Sequence, residues 1–245
     1  MKILLLDIET SPNLAHIWGL RDQYINPQHL LESSYVLCWA AKWLKEDEVF
    51  FDSVQKSSPK AMLRRIHKLI SAADAVIHYN GTKFDMPTLN KEFLLHDFPP
   101  PAPYKQIDLL RSVRSQFRFP SNKLDYVAQR LGLGKKTEHE GYTLWVKCMN
   151  KDKDAWVKME EYNKQDVTLL EKVYEKVLPW IKNHPNRGLF DGGGCPTCGS
   201  SRIQKRGFAH TSTGSYQRFQ CVECGSWSRS TKAVKESVKI VHATC

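Results

Sequence analysis

The sequence predicts an α/β domain followed by a small cysteine-tied module, and three observations predict it. The chain opens on a short apolar run, Ile3-Leu4-Leu5-Leu6, which reads as a strand buried on both faces. Further on, short apolar runs alternate with stretches whose apolar residues recur at helical spacing. Near the end, two Cys-x-x-Cys pairs stand in a segment too small to form much of a core.

Composition narrows the setting. The 245 residues suffice for one sizeable core and a small appendage, and 41% hydrophobic content is ordinary for a globular protein. A net charge of +10 and a pI near 9.2 point to a polyanionic partner, most simply nucleic acid. No apolar run is long enough to span a bilayer. The N-terminal run is too short for a signal peptide and meets acids at once. The expected setting is a reducing cytoplasm, and a nucleoid-associated or viral replication context fits it. The seven cysteines are therefore read as thiols or metal ligands.

Taken in order, β structure is expected at the first run, at 35–43 and at 49–51, with an irregular polar stretch between the first two. Cys38 reads as a small buried hydrophobe. Ser58-Pro59 opens a helix over 60–72 whose stripe is Met62, Ile66, Leu69 and Ile70, with His67 exposed. A buried strand at 74–79 runs into Asn80-Gly81-Thr82-Lys83-Phe84-Asp85, where Gly81 permits a tight backbone, and a helix follows to about Leu95. The proline run 99–103 is a rigid connector. Residues 107–110 are a strand or a helix start, with Asp108 read first as a cap or surface residue and otherwise as a support for a site. Ser121-Asn122 caps a helix carrying Leu124, Val127, Ala128 and Leu131, stopped at Gly132 or Gly134. Lys135, Lys136 and His139 form a polar loop that contacts phosphates or is simply solvated. Asp154 caps a long helix to about Trp180, and the composition of 183–194 is that of a linker.

Acids stand at particular places in this outline. Asp7 and Glu9 are two residues apart on a strand, so both side chains face the same way. At ~5 Å and an effective dielectric of ~20 their repulsion is about 3 kcal/mol, which a divalent cation with oxygen ligands would cancel. The alternative is a solvated strand end leading into Ser11-Pro12-Asn13. Asp85 lies between a strand and a helix N-terminus, where open sheets place active residues, or where it serves only as a cap. Tyr162 and Asp166 are four apart and share a helix face. Asp166 on an apolar stripe needs a partner, unless it sits at the rim of the core.

Together these segments resemble the three motifs of the DEDD exonucleases, a proofreading superfamily with a ribonuclease-H-like fold. Asp7-Ile8-Glu9-Thr10 is similar to the first motif and Asn80-Gly81-Thr82-Lys83-Phe84-Asp85 to the second. Tyr162-Asn163-Lys164-Gln165-Asp166 is similar to the third, in its DEDDy variant. The resemblance covers 1–182 and implies a mixed sheet flanked by helices. It also implies two Mg²⁺ or Mn²⁺ ions about 3.5–4 Å apart, clamping the attacking water and the leaving group. Asp7 would bridge both ions, Glu9 and Asp166 would complete the site that activates water, and Asp85 would hold the second ion. Tyr162 would orient the water, since its ordinary pKa near ~10 makes it a poor base. Asn80 would touch the terminal nucleotide or stiffen its loop. The implied reaction releases nucleoside monophosphates from a 3′ end. DNA is favoured with RNA left open, and a stand-alone or trans-acting enzyme is expected because no polymerase domain follows.

The C-terminal pairs, Cys195-Pro196-Thr197-Cys198 and Cys221-Val222-Glu223-Cys224, look like the knuckles of a zinc ribbon over 195–232, followed by a basic tail over 233–245. Four thiolates close a structural Zn²⁺ site and leave no open position for catalysis. Lys205, Arg206, Phe208, Tyr216, Arg218, Phe219, Trp227 and Arg229 interleave bases and aromatics, as suits stacking on nucleobases and contact with phosphates. From Asp191 onward, eight basic and three acidic residues give +5, half the excess of the whole chain. The rival role for the ribbon is docking a replication or repair protein. Cys148 and Cys245 have no evident partner. The expected function is metal-dependent 3′–5′ exonuclease action. A structure-specific endonuclease and a non-catalytic nucleic-acid-binding adaptor are the alternatives.

Overall fold

The computed structural model describes residues 1–22, 24–136, 140–190 and 192–236. His139, Asp191, Lys239 and Cys245 lie outside them, as does the tail from 237. The chain divides into two compact units, one over 2–174 and one over 175–245 with residue 1. Among the described residues no helix is long and apolar enough to cross a membrane.

The first unit is built on a five-stranded mixed sheet whose strands are β1 (Ile3–Thr10), β4 (Val36–Trp43), β5 (Val49–Ser53), β6 (Ala75–His78) and β7 (Lys105–Asp108). Their order across the sheet is β5-β4-β1-β6-β7. Between β1 and β4 the short strands β2 (Leu14–Ala15) and β3 (Leu30–Glu32) pair with each other. β4 runs antiparallel to β1 and β5, whereas β6 runs parallel to β1 and β7. β1 is the central strand, which is why its first residues are continuously apolar.

Helices cover both faces. Leu4, Leu6 and Ile8 of β1 pack with Met62, Leu63, Ile66 and Ile70 of α1 (Pro59–Ser71) and Met86, Leu89 and Phe93 of α2 (Asp85–Leu95). Ser58 caps α1, its side chain accepting from Ala61 N. His67 is not simply exposed: its ring packs on Phe93 and Phe98 and its Nε2 bonds the Pro99 carbonyl, which anchors the proline connector. After β7 come α3 (Leu109–Gln116), capped by Asp108, and α4 (Leu124–Arg130), which ends at Gly132 with φ +70°. The cap position of α4 is Lys123, which has no capping side chain, rather than Ser121-Asn122.

The opposite face holds α5 (Tyr142–Met149) and α6 (Lys153–Val177). Leu37 and Cys38 pack there with Leu144, Cys148, Trp156, Met159 and Tyr162, so both Cys38 and Cys148 are core residues. Sequence periodicity did not show α5. Nor is Asp154 the cap of α6: Asp152 Oδ1 accepts from Asp154 N (2.9 Å) and Ala155 N (3.0 Å), the second and third helical donors. Pro179 ends the α geometry, and a single 3-10 turn, Leu178–Trp180, follows.

In the second unit β8 (Ile203–His210), β9 (Gly214–Cys221) and β10 (Trp227–Glu236) form an antiparallel sheet in the order β10-β9-β8.

Candidate active site

β1 carries its acids through the end of the strand, not beyond it. Asp7 lies opposite Ala40 and Glu9 opposite Cys38, so small side chains flank both carboxylates. A β-bulge follows at once: Glu9 pairs Cys38 but Thr10 pairs Val36, which bends β4 beside the acids. β6 accompanies β1 only as far as the Leu5–Ile77 pair. Beyond it, Asp85 Oδ1 accepts the Ile8 N–H at 3.2 Å and stands in for the missing strand.

Asp85 is delivered there by a tight turn. Asn80 adopts φ +71°, a region that asparagine tolerates, and its N–H bonds Asp108 Oδ1 at 3.0 Å. A Cβ on Gly81 would lie 2.4 Å from the His78 ring, so the close approach of backbone to side chain requires glycine.

α6 brings the remaining groups. It is held to the sheet side by Lys42–Glu171 and Lys56–Glu160 ion pairs, both 2.6 Å. Asn163, fully buried, donates from Nδ2 to Asp7 Oδ2 at 2.7 Å. Tyr162 and Asp166 flank it, and one oxygen each from Asp7, Glu9 and Asp166 lies within 4.8 Å of the others. Asp85 stands outside that group but is linked to it through Ile8.

The electrostatics are those of crowded, buried acids. Burial, with Glu9, Asp166 and Asp85 nearby, pushes Asp7 well above the usual carboxylate range. Burial and the charge of Asp166 push Glu9 up to about 8, and burial lifts Asp85 to about 7 against the N–H groups it accepts from. An all-carboxylate donor set whose ionised form is this disfavoured fits hard divalent cations such as Mg²⁺ or Mn²⁺.

Three neighbours lacked a clear signal in the sequence. Lys136 Nζ lies 2.5 Å from Asp166 Oδ2 and donates to Tyr162 Oη at 3.1 Å. Burial pulls its pKa down, but Asp166, Tyr162 and Asp7 outweigh that and hold it above the ordinary lysine value. Trp145, from α5, donates to Glu9. Asn163 sits inside the Tyr162–Asp166 segment, where its residue type alone does not mark it. A cleft of about 570 Å³ opens on Asp7 and is lined by Tyr79, Arg114, Asn122, Lys123 and Lys136 among others. Its three cations, Arg114, Lys123 and Lys136, exceed its two acids, Asp7 and Asp125, by one, a balance that suits an anionic strand.

Lys136→Met is expected to slow cleavage about 10²-fold, through loss of a positioned donor. The same change should tighten Mn²⁺ binding, because a competing ammonium leaves Asp166. Calorimetric titration of Mn²⁺ reads the second effect, and unchanged affinity would place Lys136 outside the site.

The cysteines converge as well. One Sγ from each of Cys195, Cys198, Cys221 and Cys224 lies within 4.8 Å of the rest, with Cys195–Cys224 at 3.7 Å and Cys198–Cys221 at 3.6 Å. Tetrahedral ligation with Zn–S bonds of about 2.3 Å puts sulfurs about 3.8 Å apart, so the set fits a structural Zn²⁺. Each knuckle closes the same way: Gly199 N bonds Cys195 O and Gly225 N bonds Cys221 O, with φ +82° and +75°.

A mixed sheet with acids on its central strand and on a helix across it defines a ribonuclease-H-like protein. The chain belongs to the RNase_H superfamily, whose profile matches residues 32–178 and so includes Asp85, Tyr162 and Asp166. Membership supports nuclease action, and contact with nucleic acid, in general terms. The fold is shared with the family B DNA polymerase of the hyperthermophilic archaeon Pyrobaculum calidifontis, at TM-score 0.53 and 19% identity. The match covers 73% of this chain and 24% of the polymerase, and at that identity it is a likeness of fold. No curated protein matches the chain by sequence.

Proposed function

We propose that the chain is a metal-dependent 3′–5′ exonuclease of the DEDDy kind, acting on DNA in preference to RNA. The observation that carries this reading is the convergence of Asp7, Glu9 and Asp166 within 4.8 Å, with Asp7 opening on a cleft that Arg114, Lys123 and Lys136 also line. Two divalent cations bound there supply charge stabilisation at phosphorus and lower the pKa of an attacking water. The chain's own residues do the rest. Asp7, Glu9, Asp85 and Asp166 hold the ions. Asn163 fixes Asp7 by its 2.7 Å hydrogen bond, and Trp145 fixes Glu9.

Tyr162 orients the water through its hydroxyl and is no base, since burial and Asp166 raise its pKa further. Lys136 aims that hydroxyl. Arg114, Lys123 and Lys136 line the cleft and draw the strand's phosphates toward Asp7. Asn80 stiffens the turn that delivers Asp85. The chain is divided as a nuclease domain over 1–182, a linker over 183–194, a zinc ribbon that assists substrate binding, and a basic tail.

The test is a degradation series with Mn²⁺ or Mg²⁺ on 5′-labelled and 3′-labelled single strands of DNA and RNA. Stepwise shortening of the 5′-labelled strand, with mononucleotide release from the 3′-labelled one, is expected. Internal cuts would move the assignment to an endonuclease, and binding without cleavage would move it to an adaptor.

A further inference from the structure

The pairing of the C-terminal strands sorts its bases and aromatics onto two different faces. In the β9–β10 ladder Arg218 lies directly opposite Arg229, Gln220 opposite Trp227, and Tyr216 opposite Ala233. Opposed residues share a face, and alternate residues of a strand share it too. Tyr216, Arg218, Trp227 and Arg229 therefore stand on one side of the sheet. Lys205 is opposite Phe219, and Phe208 opposite Gln217, which places these four on the other side.

The first face has an internal order. The Arg229 guanidinium lies 3.9 Å from the Tyr216 ring centroid and the Arg218 guanidinium 4.9 Å from that of Trp227. The sequence along the surface is ring, cation, cation, ring. Arg218 Nε donates to the Arg206 carbonyl at 3.0 Å, which brings a third arginine alongside. Among the described residues none of these arginines has a carboxylate partner; the ribbon's ion pair is Arg202 with Glu223. Two like charges set directly opposite each other oppose folding. The flanking rings offset part of that, and an external anion would offset the remainder. Trp227 is 53% exposed, so its ring is available as well.

We propose that the Arg218–Arg229 face, bracketed by Tyr216 and Trp227, is a binding site for an unpaired stretch of nucleic acid. The two guanidiniums take adjacent phosphates and the rings stack on bases. An acidic polypeptide offers the charge without flat bases, and a duplex hides its bases from the rings. The opposite face, with a small pocket of about 100 Å³ lined by Phe208, His210, Ser215, Val234 and Lys235, takes no part in this binding. The proposal rests on reading the ribbon as a substrate-holding module. It does not depend on which residues cut.

The experiment uses the full zinc-loaded chain carrying Asp7→Asn, with a fluorescent 20-nucleotide single strand followed by anisotropy across a salt series. Zinc content is measured for every variant to show that the ribbon is intact. Arg218→Ala with Arg229→Ala should weaken binding at least about tenfold and flatten the log–log salt slope by about 1.4 units, at about 0.7 per phosphate. Trp227→Ala should weaken binding with the slope unchanged, and Phe208→Ala should do neither. Arg218→Lys with Arg229→Lys should keep the slope.

Equal losses from Phe208→Ala and from the double arginine variant would overturn the face assignment. So would a duplex bound as tightly as the single strand. Stronger competition by poly-glutamate than by unlabelled strand would give the face to a protein partner instead. Failure of the nuclease reading shows separately, as absent cleavage by the unsubstituted chain.

Discussion

Replacing Asp7 by asparagine is expected to lower phosphodiester cleavage at least about 10³-fold while the chain stays folded. Asparagine keeps the shape and still offers Asn163 an acceptor, so the 2.7 Å contact survives in kind. What it removes is one of three converging charges. Stability should move the other way. The folded pKa of Asp7 is raised, so the folded state binds a proton that the unfolded chain has already lost. That contribution is complete below the ordinary carboxylate pKa and is lost as pH rises toward the folded value.

Metal-free Asp7→Asn should therefore melt at or above the parent at pH 8, and the difference should vanish near pH 3. Adding Mn²⁺ should reverse the order, because only the parent gains the full linkage free energy of binding. Melting curves with and without Mn²⁺, set beside turnover, check all three statements. Cleavage retained within tenfold of the parent would mean that the chemistry lies elsewhere.

Much of this site could be read before any fold was known, for a physical reason. Strand alternation puts Asp7 and Glu9 on one side, and helical spacing puts Tyr162 and Asp166 on one side. Each relation is local, so residue spacing alone carries it. The fold class was legible on the same grounds, from apolar runs and helical stripes.

The unseen parts depend on distant pairing. Lys136 reaches Asp166 only because the loop after α4 returns over α6, and a lysine in a polar loop has no sequence signal that says so. Trp145 comes from α5, whose short apolar pattern did not separate from its surroundings. Asp152 and Asp154 are equally good caps by residue type, and only the hydrogen bonds distinguish them. The two faces of the ribbon depend on register, which shifts between Lys205 and Phe208 and again after Arg229. A shift of one residue exchanges faces, so composition could only pool the eight side chains.

Stripping zinc should abolish the three-stranded sheet outright, the second large effect expected of this chain. β8 is exposed along nearly its whole length, and β9 and β10 are exposed or half-buried except at Cys221. Around the knuckles the buried side chains are Cys195, Cys221 and Ser226, which is the cluster itself. A sheet with two wet faces has too little apolar burial to offset the entropy of ordering some thirty residues, at about 1–2 kcal/mol each. Binding to four thiolates supplies about 10–16 kcal/mol in comparable peptides, and only the folded arrangement brings the sulfurs together.

Ser226 Oγ sits 3.1 Å from both Cys195 Sγ and Cys224 Sγ, so Ser226→Ala should weaken zinc binding by about 10–100-fold without removing a ligand. Cys198→Ser, or a strong chelator, should go further and expose 203–236 to protease and to rapid amide exchange. The core of Leu4, Leu6, Ile66 and Leu89 contains no cysteine ligand and should keep its protection. Exchange followed by mass spectrometry separates the two regions in one measurement. Persistent protection of 203–236 in zinc-free protein would mean that the strands are held by contacts other than the thiolates. The Arg218–Arg229 face would then owe its geometry to something other than the metal.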